Sequence, residues 1–372
     1  KAPLWQLHAR TVEQDEQSHL LRFWNSFFEV KNVPIFYFPY FQIPDFTIKR
    51  KTGFLLPGFG SDSTIKTYIK IPYFIDLAPN QNLTLTPIIS LSQNPMGIVD
   101  YRGLFTQGEF NFQGSLTKDD AGKSQGHVKT NFIYDISDEW RLSGEFSRTI
   151  TDTYFRRYSV IEMDETQSFL TSDLKAEYYG NQLQGISHFY HFQSLQDGMN
   201  SKTIPLILPT FQANYHSKAF TEQGGHLYTQ VSGAFINDRT HFKSNRMTWQ
   251  QGVILPHKTN FGLVMNLEGM IRFDGYSIDS GQNLTHTLNV PNDSYWMGRA
   301  FPRATLKMSY PMAQYSDSMT QILEPIVMLV LAPNGENSDK IPNVDSTVFD
   351  FNDVNLFSSN RYAGYAPKTN SG

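Results

Sequence analysis

Cysteine is absent from all 372 residues, which excludes disulfides and thiolate metal sites within this span and leaves the redox compartment open. There is no excess of positive charge: 31 Lys+Arg against 35 Asp+Glu give a formal net charge of -4 and a pI near 6.2. Without a basic field, nothing here argues for nucleic acid as a partner. Long apolar runs are missing too. Ile326 to Ala332 is one of the longest, and a spanning helix needs about 20 such residues. No charged-then-apolar leader opens the sequence. If this chain crosses a bilayer, a closed sheet is the remaining way, because in lipid only helices and barrels satisfy every backbone group.

Aromatic residues, by contrast, are abundant at 14%, while the mean hydropathy is only -0.39. That pairing suits strands with one apolar and one wet face. From Gly108 onward the period is two. Phe110, Phe112 and Leu116 alternate with Glu109, Asn111, Gln113, Ser115 and Thr117. Val128, Thr130, Phe132 and Tyr134 then oppose His127, Lys129, Asn131 and Asp135, and Trp140, Leu142 and Phe146 oppose Arg141, Ser143 and Glu145. Similar segments are predicted at Thr64 to Asp76, Asn82 to Leu91, Phe169 to Tyr179, Gln182 to Leu195, Pro209 to Phe220, Gly225 to Phe235, Met247 to Pro256 and Asn260 to Phe273. Tight connections such as Tyr179-Gly180-Asn181 alternate with longer polar ones such as Thr151 to Gln167, as in an outer-membrane barrel. Aromatic clusters such as Phe36-Tyr37-Phe38 also fit a sandwich core. Strand length favours the barrel, since roughly 9 to 11 tilted residues cross a bilayer whereas globular strands average about 5 to 6.

Proline stands inside aromatic, β-forming runs: Val33-Pro34-Ile35-Phe36-Tyr37-Phe38-Pro39-Tyr40, Gly53-Phe54-Leu55-Leu56-Pro57 and Ile71-Pro72-Tyr73-Phe74. Proline has no N–H to give a ladder, so these strands are predicted to be edges, kinks or weak pairings. Up to about Arg50 the strands are shorter and less regular, with a charged turn at Glu13 to Glu16. They read as the last strands of a separate β domain, giving a division into residues 1–50 and 51–372.

Catalytic constellations are not evident. His188 and His191 lie three apart on a strand, on opposite faces, and cannot chelate one ion from that element. Asp152, Asp164 and Glu165 read as solvated loop carboxylates. Ser346 follows Asp345 without a recognisable base. Neither a metal, a cofactor nor an enzymatic activity is expected.

Read together and in order, Trp5-x-Leu7-x-Ala9, the Val33 to Tyr40 run, Gly53 to Pro57, Pro72-Tyr73-Phe74, Ala78-Pro79-Asn80, Leu83-Thr84-Leu85-Thr86-Pro87 and Tyr101-Arg102 resemble the lipopolysaccharide-assembly family LptD, once called organic solvent tolerance protein. Near the other end Leu323-Glu324-Pro325, Ile341-Pro342-Asn343-x-Asp345-Ser346, Asn355-Leu356-Phe357 and Asn360-Arg361-Tyr362-x-Gly364-Tyr365 are similar to the family's downstream block. Some positions depart from it. Asn82 stands where an acidic residue is usual, Ala366-Pro367-Lys368 replaces an acidic-basic pair, and the cysteines many members carry are absent, which leaves redox-controlled maturation open.

The resemblance implies an all-β chain: the end of a periplasmic β-jellyroll, then an antiparallel outer-membrane β-barrel, incomplete here because the closing strands are not expected within the span. It implies a lipopolysaccharide translocon subunit of a Gram-negative bacterium, plugged by the lipoprotein LptE and fed by a periplasmic LptA bridge docked on the jellyroll. Lipopolysaccharide would leave sideways into the outer-membrane lipids through a lateral gate. Pro57 and Pro72 look like the gate prolines. Val33, Ile35 and Tyr37 become candidates for the lipopolysaccharide path, and Pro34, Pro39, Asn343, Asp345 and Ser346 look like structural motif positions. The competing readings are a passive porin, which needs no strand prolines and no jellyroll, and a soluble β-rich carbohydrate-active enzyme built on aromatics and carboxylates.

Overall fold

A computed structural model describes residues 5–16, 19–30, 32–44, 50–161, 167–199, 201, 204–237, 242–280, 294–333, 347–348, 355–358 and 362–363. The expectation of an all-β, antiparallel chain holds. The chain forms two compact units.

The first unit comprises Lys1–Tyr134, Glu145–Ser168 and Leu195–Asp197. In it β1 (Trp5–Asp15), β2 (Leu20–Val30) and β3 (Val33–Pro44) form a three-stranded sheet in that order. The turn expected at Glu13 to Glu16 is mostly strand, since Glu13 to Asp15 pair with Arg22 to Leu20. Strand β3, with its prolines, is the sheet's edge, where a missing donor costs least. The ladder of β2 and β3 shifts register between Phe28 and Glu29, beside Pro34. Asn25, at φ 49°, lies across from Pro39, between the pairs Trp24↔Tyr40 and Ser26↔Phe38. Both prolines therefore sit where the ladder is irregular.

The wall of this unit follows as β4 (Gly53–Phe54), β5 (Gly58–Asp62), β6 (Lys66–Lys70), β7 (Tyr73–Ala78), β8 (Gln81–Ser90), β9 (Met96–Phe105), β10 (Gly108–Lys118) and β11 (Ser124–Asp135). The end of β12 (Trp140–Thr149) and the short helix α1 (Tyr154–Arg157) complete it.

The second unit comprises Asp135–Gly144, Phe169–Ser194 and Gly198–Gly372. There β13 (Phe169–Tyr179), β14 (Leu183–Ser194), β15 (Leu206–His216), β16 (His226–Asn237), β17 (Phe242–Lys258), β18 (Val264–Ser280) and β19 (Tyr295–Ser309) pair consecutively. After the hairpin of β20 (Met312–Tyr315) and β21 (Thr320–Leu323), β22 (Ile326–Leu331) returns to β19. Two short strands, β23 (Thr347–Val348) and β24 (Tyr362–Ala363), pair with each other. Strands β17 and β18 are each longer than the alternation alone suggests.

The side-chain pattern is inverted relative to a water-soluble sheet. On β17, Ser244, Arg246 and Thr248 are 5 to 6% exposed, while Met247 is 53% and Trp249 45% exposed. On β10, Leu116 is exposed between buried Ser115 and Thr117. Soluble proteins shelter Met, Trp and Leu. A wall that shelters Ser, Thr and Arg and turns its apolar residues outward suits hydrocarbon on the outside. The sheltered face satisfies its charges internally. Asp274, opposite Thr248 and Arg299 in the ladders, accepts from Thr248 Oγ1 (2.7 Å), Arg272 Nε (2.8 Å) and Arg299 Nε (2.6 Å). Such pairing is what permits a carboxylate to be buried at all.

Candidate functional site

The candidate gate is the first hairpin of the wall, and its backbone follows from three prolines. Gly53 and Phe54 pair with Phe74 and Tyr73, and beyond the prolines Gly58↔Lys70 begins the pairing of β5 with β6. Leu55, Leu56 and Pro57 lie between the paired stretches on the first arm but only Ile71 and Pro72 on the second, so the first arm carries one extra residue. That is a bulge, which weakens a ladder locally. The single strand predicted from Thr64 to Asp76 is accordingly two strands, β6 and β7.

Register tells which donors are lost. Along β8 the pairing is continuous, from Lys70↔Ile88 to Tyr73↔Leu85, with the Ile71 N–H donating to Pro87 O at 3.1 Å. Ile71 thus turns its polar groups toward β8, and Lys70 and Pro72, its neighbours, turn theirs toward the first arm. Leu55 N–H donates to Pro72 O at 2.9 Å, but Pro72 has no N–H with which to complete the pair. Pro57, in the bulge just before the Gly58↔Lys70 pair, has no N–H to give to either side of the first arm. Pro87 likewise cannot return the bond it accepts from Ile71. Each missing bond forgoes roughly 0.5 to 1.5 kcal/mol, more in lipid. Pro87 belongs to the sequence motif, and its equal spacing with Pro57 and Pro72 along the chain is the signal in the sequence that links it to them.

On the proximal side of these prolines, where the chain enters the wall, the short β4 is held mainly by side chains. Arg50 Nη2 pairs with Asp76 Oδ1 at 3.0 Å and donates to Gln81 O at 2.9 Å, Asp76 N–H donates to Thr52 Oγ1 at 2.9 Å, and the Phe54 ring meets Tyr73 edge-on at 4.8 Å.

On the distal side a strap crosses the inner face. Residues Thr151 to Ile161, including α1, pack Tyr154, Tyr158, Val160 and Ile161 against Ile65, Ile88 and Met96 in a buried apolar cluster. Burying these seven side chains contributes on the order of 10 kcal/mol gross, an upper figure. Lys70 Nζ donates to Val160 O at 3.1 Å. The hydroxyls of Tyr154 and Ser115 share a hydrogen bond, and Ser115 also meets His127 Nδ1. Burial pushes the Tyr154 phenol up to about 12. This Ser–His contact is no hydrolytic dyad: the other ring nitrogen faces Gln113 Oε1 at 3.3 Å, and Ser115 is buried under the strap.

A second feature is a groove of about 550 Å³ on the β1–β3 sheet, lined by His8, Arg10, Asn25, Phe27 and Tyr37. His8, Phe27 and Tyr37 form one cross-strand row, the Phe27 and Tyr37 rings lie 5.0 Å apart, and Tyr37 OH donates to Asn25 Oδ1 at 2.6 Å. Val33 and Ile35 are more than half exposed, but the ladder of β3 shifts at Ile35, so Val33, paired with Val30, falls on the face of Phe28 and Phe36 and does not share the face of Tyr37 as strict alternation would have it. On β3's other face the Phe36 ring lies tilted against Phe59 of β5 at 5.5 Å, and Phe28 stacks on Phe59 at 6.3 Å. The groove is open, apolar and cationic at Arg10, a combination that suits an amphiphile with an anionic head. The aromatic stack joins its sheet to the proline hairpin.

Among the described residues no His, Asp or Glu group is arranged to hold a metal. His188 Nδ1 instead lies 2.9 Å from Asp173 Oδ2, with its ring stacked on Tyr190. Asn343, Asp345, Ser346, Asp164 and Glu165 lie outside the described residues.

The family model LPS transport system D, LptD, matches residues 123–367. The LPS-assembly protein LptD of Idiomarina loihiensis is 27% identical over 98% of this chain and 47% of its own length. That of Salmonella typhimurium is 25% identical over 97% of the chain and 47% of its length, and that of Psychrobacter arcticus 25% over 97% and 42%. The chain spans about half the length of these curated relatives. Proline-broken first strands, an inverted wall and a family match across most of its length agree, and the chain belongs to the LptD family of lipopolysaccharide transport proteins.

Proposed function

We propose that this chain is the receiving and releasing part of a lipopolysaccharide translocon in the outer membrane of a Gram-negative bacterium. Residues 1–50 are the end of a periplasmic β-jellyroll, and residues 51–372 belong to the membrane barrel. Lipopolysaccharide, handed over by an LptA bridge, passes its acyl chains along the face bearing Tyr37 and past the edge strand that carries Val33 and Ile35. It then leaves through the seam weakened by Pro57 and Pro72, while the LptE lipoprotein plugs the lumen. The work done is transport, with no covalent step. The single observation that carries this reading is the loss of ladder donors at Pro57 and Pro72 in the hairpin whose Phe59 abuts the groove-bearing sheet. A passive porin has no use for such a seam.

Depletion of the full-length protein in its host tests the reading. Newly made lipopolysaccharide is expected to accumulate on the periplasmic side; unchanged delivery to the cell surface would overturn the proposal.

A further inference from the structure

We propose that the Thr151 to Ile161 strap is a permanent brace, so that the distal half of the first hairpin stays fixed to the wall and the gate folds open only on the proximal side of Pro57, Pro72 and Pro87. The inference rests on the gate reading above and says which part of the hairpin moves.

The two halves of the hairpin are held by different chemistry. Distally, the strap reaches Ile65 in the β5–β6 turn, Lys70 at the end of β6, Ile88 on β8 and Met96 on β9. It thereby ties β5 and β6 to β8, β9 and, through Ser115 and His127, β10 and β11. The contact is dry: Tyr154 is 0% exposed, Ile88 1% and Ile65 3%. Breaking it would expose Tyr154 along with its apolar partners. Proximally, β4 is two residues long, its pairing to β7 is limited to Gly53↔Phe74 and Phe54↔Tyr73, and the contacts beside it include the Phe54–Tyr73 ring pair and the partly exposed polar contacts of Arg50, Thr52 and Asp76. A Cβ at Gly53 would meet nothing within 4 Å beyond its own chain neighbours, so no side chain packs on that position of β4. Between the halves lies the bulge of Leu55, Leu56 and Pro57, where the one backbone bond to the second arm is Leu55 N–H to Pro72 O, so little ladder resists a bend there. A clamped end, a loosely held end and a fold line between them make a hinge.

The test uses the full-length protein in cells, with two engineered cysteine pairs joined by a short bis-maleimide and each compared with its own unbridged form. One pair, Lys70→Cys with Val160→Cys, fixes the strap to the hairpin. The other, Phe54→Cys with Tyr73→Cys, pins β4 to β7 across register partners. The readout is arrival of new lipopolysaccharide at the surface. Bridging the first pair is expected to change transport by less than about twofold, and bridging the second to lower it about tenfold or more. Comparing bridged and unbridged forms of the same assembled protein removes any folding defect from the result. A block by the Lys70–Val160 bridge would overturn the brace and leave the gate standing. If neither bridge slows transport while replacement of Pro57 and Pro72 does, the hinge is likewise overturned. If the proline replacements are silent as well, the gate reading itself falls.

Discussion

Tyr154 condenses the physics of the strap into one side chain. Its ring is fully buried among Tyr158, Phe155 and His127, and its hydroxyl has Ser115 as partner. Burial disfavours the phenolate, which is why the group titrates near 12 and not near 10. The sign of the linkage follows. A folded-state value above the unfolded one means the native chain holds its proton longer, so this contribution is complete below pH 10 and is lost as pH rises from about 10 to about 12. Titration of phenolate absorbance in detergent is expected to show a late component in this window, and the Tyr154→Phe variant to have one late tyrosine fewer. Early titration of Tyr154 would mean that the strap is wet.

At the scale of elements, the first hairpin is a ladder with omissions. A bulge and missing proline donors fall at one level across β5, β6 and β8, while β17 to β19 run in long unshifted ladders and the ladders on either side of β15 shift together at Leu208 and Pro209. Replacing both Pro57 and Pro72 by Thr is expected to restore up to one bond at each site, roughly 0.5 to 1.5 kcal/mol apiece, and so to lower surface lipopolysaccharide while raising the temperature at which the barrel unfolds in detergent. Normal transport by the double variant would remove these prolines from the mechanism. The aromatic run around the prolines made weak pairing legible from residues alone, because proline contradicts a ladder wherever it stands. The strap left no such trace. Lys70 and Val160 are distant along the chain, and nothing local in Thr151 to Ile161, read as a polar loop, announces that Tyr154 and Ile161 are buried.

Across the whole molecule the decisive quantity is which residues shun water. Ser244, Arg246 and Thr248 are sheltered while Met247 and Trp249 are not, and Trp249 stacks on Phe273 at 5.3 Å on the exposed side. In hydrocarbon, Met247→Arg is expected to cost about 2 to 4 kcal/mol if it lies near the bilayer midplane, whereas an exposed position on a soluble sandwich would change stability by about 0.5 kcal/mol at most. The fraction of protein that migrates in the compact, unheated form on detergent gels measures this. An unaffected Met247→Arg variant would argue against lipid at that face.

Alternation with a period of two is a property of each strand's own backbone, so the sequence by itself determined that the chain is all-β, which residues share a face wherever no bulge intervenes, and where proline must interrupt a ladder. It did not determine the bulge at Ile35, which puts Val33 and Tyr37 on opposite faces. Direction is another matter. Whether Pro72 withholds its donor from β5 or from β8 depends on register, and register is set by pairing with residues elsewhere in the chain. The same holds for the open groove beside Tyr37, the packed face at Phe36 and the clamp on Lys70: each needs side chains from separate elements to meet. Only the tertiary structure decided these, because burial and ladder direction arise between segments and no segment carries them alone.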